Sequence, residues 1–128
     1  MNQDFEKIIS EEGYARLWND GDYWYAIVRP THLLHLCGYV GIPKSHPLYG
    51  RGYDDIEEIA VHGGLTFASE SLYPFGDLKD LWWLGFDCAH SGDIVPGISH
   101  VCQDETYKNM DYVLEETRSL LRQLKEKE

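Results

Sequence analysis

Three side chains suited to acid–base or metal chemistry recur at intervals of three residues: Asp87, His90 and Asp93. They follow an apolar run directly, which is how a buried strand delivers polar groups into a pocket. On a helix this spacing would place all three on one face, but Gly85 and Gly92 favour a loop. Two carboxylates and an imidazole in such a loop can converge on zinc, manganese or iron.

Three interpretations of this cluster are open. In the first, His62 or His46 completes a metal site, although no HExxH motif is present. In the second, Asp87 and His90 form a structural hydrogen bond, because a buried carboxylate needs a partner. In the third, the same groups contact a ligand without a metal ion. A divalent metal is thus compatible with the sequence, which requires no cofactor.

A second candidate stretch is His62-Gly63-Gly64, followed closely by Thr66. Consecutive glycines let the backbone approach a ligand, and their N–H groups can form a small anion-binding nest. The alternative is a β-bulge, in which the glycines only supply positive φ angles. A Walker-type phosphate loop is excluded, because no GxxxxGK[ST] sequence occurs.

The three cysteines, Cys37, Cys88 and Cys102, form no recognisable framework. An odd number without a signal peptide argues against disulfides, and the absence of a CxxC pair argues against a structural zinc knuckle. Cys37 lies in an apolar run and is predicted to be a core residue. Cys88 can be a core or a functional residue. A thiol nucleophile is not favoured, because no third orienting residue is evident.

Aromatic rings and a few cations surround the loop that follows the second predicted strand. His46, Tyr49 and Arg51 lie in this loop, whose two prolines and two glycines exclude a long regular element. Loops fixed on a sheet often carry binding residues. Rings that can stack on a base, with scarce cations beside them, fit a small nucleotide-like ligand better than a polymer. We therefore predict such a ligand as the partner.

Composition and charge limit the function classes. A chain of 128 residues with 43% hydrophobic residues fits one globular domain. The 22 acidic against 11 basic residues argue against direct nucleic-acid binding. No apolar run is long enough for a membrane span, and a cytoplasmic location is the default expectation. A homo-oligomer is compatible with the sequence.

Periodicity predicts a single α+β domain over residues 1–128. Extended runs at 23–29, 33–42, 56–61 and 81–87 are rich in β-branched and aromatic residues and predict strands, the first two joined as a hairpin. Short helical turns are expected within residues 4–18. Apolar residues from 104 to 125 follow a period of 3.6, which predicts the longest helix. It should pack on a mainly antiparallel sheet of about four to six strands.

Four motifs together resemble a family of small proteins that bacteriophages and prophages commonly encode. They are GYVGIP at 38–43, HPLYG at 46–50, VHGGLT at 61–66 and WLGFDCAHSGD at 83–93. The segment YKNMDYV at 107–113 is similar to that family as well. The resemblance covers residues 36–124 and implies an accessory phage protein, a class that often counters host defence. It supplies no catalytic residues.

Three hypotheses about function follow. The leading one is a phage accessory protein that binds a small nucleotide-like ligand and sequesters a host immune signal as an anti-defence protein. The first alternative is a metal-dependent hydrolase, of the phosphoesterase kind, whose ligands are Asp87, His90, Asp93 and His62. The second, suggested by the net charge of −11, is an acidic inhibitor of a host protein. A single binding site requires one cavity lined by His46, His62, Asp87 and His90.

Overall fold

Five strands form one antiparallel sheet in the part of the chain that the structure, a computed structural model, describes: residues 5–98 and 104–128. The elements are, in chain order, α1 (Phe5–Glu12), β1 (Ala15–Asp20), β2 (Tyr23–Val28), β3 (Cys37–Pro43), β4 (Phe67–Ser69), β5 (Leu81–Asp87) and α2 (Met110–Glu126). A single 3-10 turn covers Tyr53–Asp55 among these residues. The strand order across the sheet is β1-β2-β3-β5-β4, and every neighbouring pair is antiparallel.

Strand β5 lies inside the sheet and is buried on both faces, which explains its nearly continuous apolar sequence. Trp83, Leu84 and Phe86 are each at most 1% exposed. Leu84 and Phe86 belong to the core that packs against α2, whereas Trp83 packs on the other side of the sheet with Ala26 of β2. The strand predicted at 81–87 is therefore confirmed, as is the antiparallel pairing of β2 with β3.

Helix α2 covers one face of the sheet through an apolar stripe. Gly38 of β3 permits the close approach, because a Cβ atom there would overlap the Thr117 hydroxyl and the Phe86 ring. The predicted α+β fold, with a long C-terminal helix on an antiparallel sheet, is confirmed. No helix among the described residues is long and apolar enough to cross a membrane. The buried residues of α2 are Met110, Val113, Thr117, Leu120, Leu121 and Leu124.

Two element boundaries differ from the prediction. Helix α2 begins at Met110 rather than at residue 104, because the Asn109 side chain caps it by accepting the Tyr112 amide at 2.9 Å. Thr106, before the helix, forms an isolated parallel bridge with Asp93. At the other end of the chain, helical turns stop at Glu12, and Ala15–Asp20 becomes the edge strand β1.

The prediction of a strand at 56–61 was wrong, since no strand forms there. Side chains of α2, rather than a neighbouring strand, form hydrogen bonds with backbone N–H and C=O groups of this segment. Gln123 accepts from the Ala60 amide at 2.7 Å and donates to the Ala60 carbonyl at 2.8 Å. Glu116 accepts from the His62 amide at 2.8 Å. The helix thereby fixes His62 beside the end of β5.

Candidate functional site

A buried carboxylate, Asp93, is the centre of a polar cluster in the loop that follows β5. Its side chain is only 1% exposed. His62 Nε2 lies 3.0 Å from Oδ1 and 2.8 Å from Oδ2 of this carboxylate. The His90 amide donates to Oδ2 at 3.0 Å, and Lys108 Nζ lies 3.1 Å from Oδ1. Burial alone would raise the pKa of Asp93, but these bonds outweigh it, so the pKa lies below its ordinary value.

The His62 ring is held at both nitrogens. Because a carboxylate only accepts, the proton on Nε2 points to Asp93, and Nδ1 lies 2.8 Å from the Tyr112 hydroxyl. Burial, with Glu116 nearby, raises the pKa of Tyr112 and keeps the phenol protonated. An imidazole fixed in this way presents a defined nitrogen to the cluster.

Cys88 joins His62 and Asp93 as a third donor of metal-binding type. One ligand atom from each of these residues lies within 4.8 Å of the other two, and Cys88 and Asp93 are buried. Burial, aided by the negative charge of Asp93, raises the pKa of the Cys88 thiol well above its ordinary value. A protonated buried thiol is a poor nucleophile.

Asp87 and His90 form a neighbouring pair at the edge of this cluster. Asp87 accepts from the Thr66 hydroxyl at 3.0 Å and from the Ala89 amide at 3.1 Å. Its Oδ1 also lies 3.1 Å from His90 Nε2. That contact lacks hydrogen-bond geometry, so Nε2 is buried without a hydrogen-bond partner among the described residues. Asp87 and His90 are thus close together, as predicted, but the predicted hydrogen bond between their side chains does not form among the described residues.

The two glycines after His62 serve the local backbone. Gly63 and Gly64 have φ angles of +69° and +80°, which glycine adopts without steric strain. The Gly64 amide donates to the Val61 carbonyl at 2.9 Å, so it is already used within a turn. A Cβ atom at Gly63 would overlap the His90 ring. Positive φ and close packing account for this pair, and the Gly64 amide is not free to join an anion nest.

Three predicted site residues lie at the opposite end of the sheet. His46 is buried beneath α2, with Nε2 2.6 Å from the Leu124 carbonyl. Leu124 is twelve residues beyond Tyr112, or about 18 Å along the helix. Tyr49 contacts the Trp82 ring, and the Arg51 carbonyl accepts from Trp82 Nε1 at 2.8 Å.

Trp82 is separated from Asp87 by most of β5, a distance of about 16 Å. The predicted residues therefore form two groups rather than one cavity. A cleft of about 370 Å³ lies beside Tyr49, and its two lysines are balanced by two acidic residues. Its lining consists of Lys44, Tyr49, Glu70, Ser71, Lys79, Asp80 and Leu81.

Cys88, Lys108 and Tyr112 belong to the cluster but were not predicted as ligand-binding residues. Cys88 was predicted as either a core or a functional residue, because the sequence around a buried cysteine is the same in both roles. Lys108 and Tyr112 precede or belong to an amphipathic helix and carry no local signal of a site. Cys102 lies outside the described residues.

The chain is therefore an α+β domain in which a partly buried histidine meets a buried cysteine and a buried aspartate, between a loop and the C-terminal helix. No protein-family model, curated protein or solved structure matches it. The resemblance to phage proteins and the cytoplasmic location stay predictions.

Proposed function

We propose that this protein binds a divalent transition metal ion, with Zn²⁺ as the preferred ion, through His62, Cys88 and Asp93. The observation that carries the proposal is the mutual approach of their donor atoms to within 4.8 Å. Imidazole nitrogen, thiolate sulfur and carboxylate oxygen are the three protein ligands of Zn²⁺, and sulfur disfavours Mg²⁺ and Ca²⁺.

Metal binding also suits the protonation chemistry of the cluster. Burial keeps the Cys88 thiol protonated in the metal-free protein even with Lys108 nearby, and a bound metal ion deprotonates such a thiol outright. Asp93 is held in its charged form, ready to act as a ligand. A metal ion on His62 Nε2 would displace the proton there, and Nδ1 would then carry the ring proton and donate it to the Tyr112 hydroxyl. Metal binding should therefore release protons and weaken as the pH falls.

The His62–Asp93 pair requires only a small rearrangement to bind a metal ion. His62 Nε2 and Asp93 Oδ2 are 2.8 Å apart, a hydrogen-bond distance. Two such ligands on a tetrahedral zinc ion, with bonds of about 2.0 Å, are separated by about 3.3 Å. The pair must therefore open by about half an ångström. The second carboxylate oxygen can keep its contact with Lys108, and Tyr112 can orient the His62 ring from Nδ1.

The proposal is closest to the metal-dependent hydrolase hypothesis, with which it shares His62 and Asp93, while Cys88 replaces Asp87 as a ligand. The nucleotide-binding hypothesis loses support, because Tyr49 and Arg51 lie about 16 Å or more along β5 from Asp87. Sequestration of a host immune signal and inhibition of a host protein stay predictions.

Cobalt substitution tests the proposal, because a thiolate bound to Co²⁺ gives a strong charge-transfer band in the near ultraviolet. The matched pair is Cys88→Ser and Cys37→Ser, since both thiols are buried but only Cys88 belongs to the cluster. All proteins should carry Cys102→Ser, which removes the remaining thiol.

We expect one equivalent of Co²⁺ and the charge-transfer band in the parent protein and in Cys37→Ser, and no band in Cys88→Ser. Circular dichroism should confirm that each variant is folded. The proposal is overturned if the parent protein has no band, or if Cys88→Ser keeps it.

A further inference from the structure

We infer that His90 is the fourth ligand of this metal ion, so that the site is closed to water. The inference rests on the proposed metal binding by His62, Cys88 and Asp93. Its structural basis is the placement of a partly exposed imidazole, without a hydrogen bond at Nε2, directly beside the cluster. Coordination by four protein ligands is typical of structural zinc sites, whereas catalytic sites keep one position open.

The backbone already places His90 at the cluster. Cys88, His90 and Asp93 lie on one loop, and the His90 amide donates to Asp93 Oδ2 at 3.0 Å. The ring centroids of His62 and His90 are 6.1 Å apart. Two imidazoles on one tetrahedral zinc ion, with Zn–N bonds of about 2.0 Å, have centroids separated by about 5.2 Å. The centroids of the two rings must therefore approach each other by about 1 Å, with a His90 nitrogen turned toward the ion.

No hydrogen bond at Nε2 fixes the His90 ring in its present orientation among the described residues. Its Nε2 is 3.1 Å from Asp87 Oδ1 but makes no hydrogen bond among the described residues. Asp87 keeps its bonds from the Thr66 hydroxyl and the Ala89 amide when the ring leaves. The His90 side chain is 35% exposed, and it packs on Gly63, which has no Cβ atom to obstruct a sliding ring.

A closed site changes what the metal does. With two histidines, one cysteine and one aspartate around it, the ion carries no activated water and cannot perform metal-assisted hydrolysis. Instead it joins the loop after β5 to the segment that carries His62, which α2 holds through Glu116. The metal then fixes the arrangement of these three parts of the chain.

The test uses the Co²⁺-loaded protein and a small exogenous ligand, azide. A closed site has no position for azide, whereas removal of one ligand creates one. The variants are His90→Ala and, as a control, His32→Ala, whose histidine is exposed and outside the cluster. Cobalt affinity is measured by competition with a chromophoric chelator.

We expect that azide leaves the visible Co²⁺ bands of the wild type and of His32→Ala unchanged. In His90→Ala it should shift them, and affinity should fall at least about tenfold. His90→Cys should restore tight binding and add a second sulfur-to-cobalt contribution, which also separates a lost ligand from a misfolded variant.

A response of the wild type to azide would overturn the inference and favour an open, hydrolytic site. So would unchanged Co²⁺ affinity in His90→Ala, or a His90→Cys spectrum with the wild-type sulfur contribution. These outcomes leave the metal proposal intact, because the Cys88-dependent band persists in them. Absence of that band from the wild type overturns both.

Discussion

His62 and Asp93, 31 residues apart in the chain, meet through two short contacts, with Nε2 3.0 Å from Oδ1 and 2.8 Å from Oδ2. This contact joins a segment that lies along α2 to the loop that follows β5. Tyr112 of α2 holds the other nitrogen of the same ring. The cluster therefore links three separate parts of the fold, and its chemistry and its stability can be tested together.

Removal of the buried carboxylate should destabilise the metal-free protein strongly. Asp93→Asn leaves Lys108, whose side chain is only 17% exposed, without its carboxylate partner. We expect the free energy of unfolding to fall by about 3 kcal/mol, as for other broken buried ion pairs. Urea denaturation measures it.

The control is Asp87→Asn, because that carboxylate is 30% exposed and should contribute about 1 kcal/mol or less. Equal losses in the two variants would contradict a central role for Asp93.

The adjacent glycines provide a second matched pair. An alanine at Gly64, where φ is +80° and no heavy atom lies within 4 Å of an added Cβ, should cost about 1 kcal/mol of backbone strain. At Gly63 the φ angle is +69°, and the new methyl group would also overlap the His90 ring. Gly63→Ala should therefore cost at least about 2 kcal/mol in chemical denaturation. A smaller loss in Gly63→Ala than in Gly64→Ala would show that the ring does not pack there.

His35 should make stability depend on pH. Its side chain is buried, and Nδ1 has no hydrogen-bond partner among the described residues. Burial lowers the pKa of His35 below 6.5, although nearby carboxylates oppose the shift. Above that value the ring is neutral in both states. Below it the unfolded chain binds a proton that the folded chain takes up only at lower pH, so the free energy of unfolding falls.

Urea denaturation at about pH 7.5 and about pH 5.5 measures this loss. The variant His35→Gln cannot titrate, and its stability should fall less between the two pH values than that of the wild type. An identical fall in both proteins would exclude His35 as a source of the pH dependence.

Metal ions should stabilise the fold reversibly. A ligand that binds only the folded state adds about 2.7 kcal/mol when its free concentration is about a hundred times Kd. We expect Zn²⁺ to raise the Tm of the wild type and of Cys37→Ser, and a chelator to reverse the effect. Cys88→Ser should show little change, since it lacks a ligand. A similar increase in all three proteins would indicate binding elsewhere on this acidic surface.

The sequence predicted those elements whose periodicity is set by burial. Strand β5 is apolar on both faces because both faces are buried, and α2 repeats apolar residues every 3.6 positions because one face packs on the sheet. Both patterns are visible in the sequence itself. The run at 56–61 has strand-like composition, yet Gln123 and Glu116 satisfy the backbone at its end. That arrangement depends on where the helix lies, which no local pattern records.

The candidate site could be predicted only in part, for a topological reason. Strands β3 and β5 are antiparallel neighbours, so the loops that follow them leave from opposite ends of the sheet. Residues 46–51 follow β3 and residues 88–93 follow β5, so the two sets cannot share one cavity. The two strands are not consecutive in the sequence, so their pairing could not be read from it. Cys88 becomes a candidate ligand only because His62 approaches it from another segment.

X-ray absorption spectroscopy of the Zn²⁺-loaded protein tests metal binding at this cluster most directly. We expect one sulfur at about 2.3 Å and three nitrogen or oxygen neighbours at about 2.0–2.1 Å, with the multiple scattering of two imidazoles. The sulfur should be lost in Cys88→Ser and retained in Cys37→Ser. A first shell made of oxygen and nitrogen without sulfur, or a sulfur that persists in Cys88→Ser, would contradict metal binding by His62, Cys88 and Asp93.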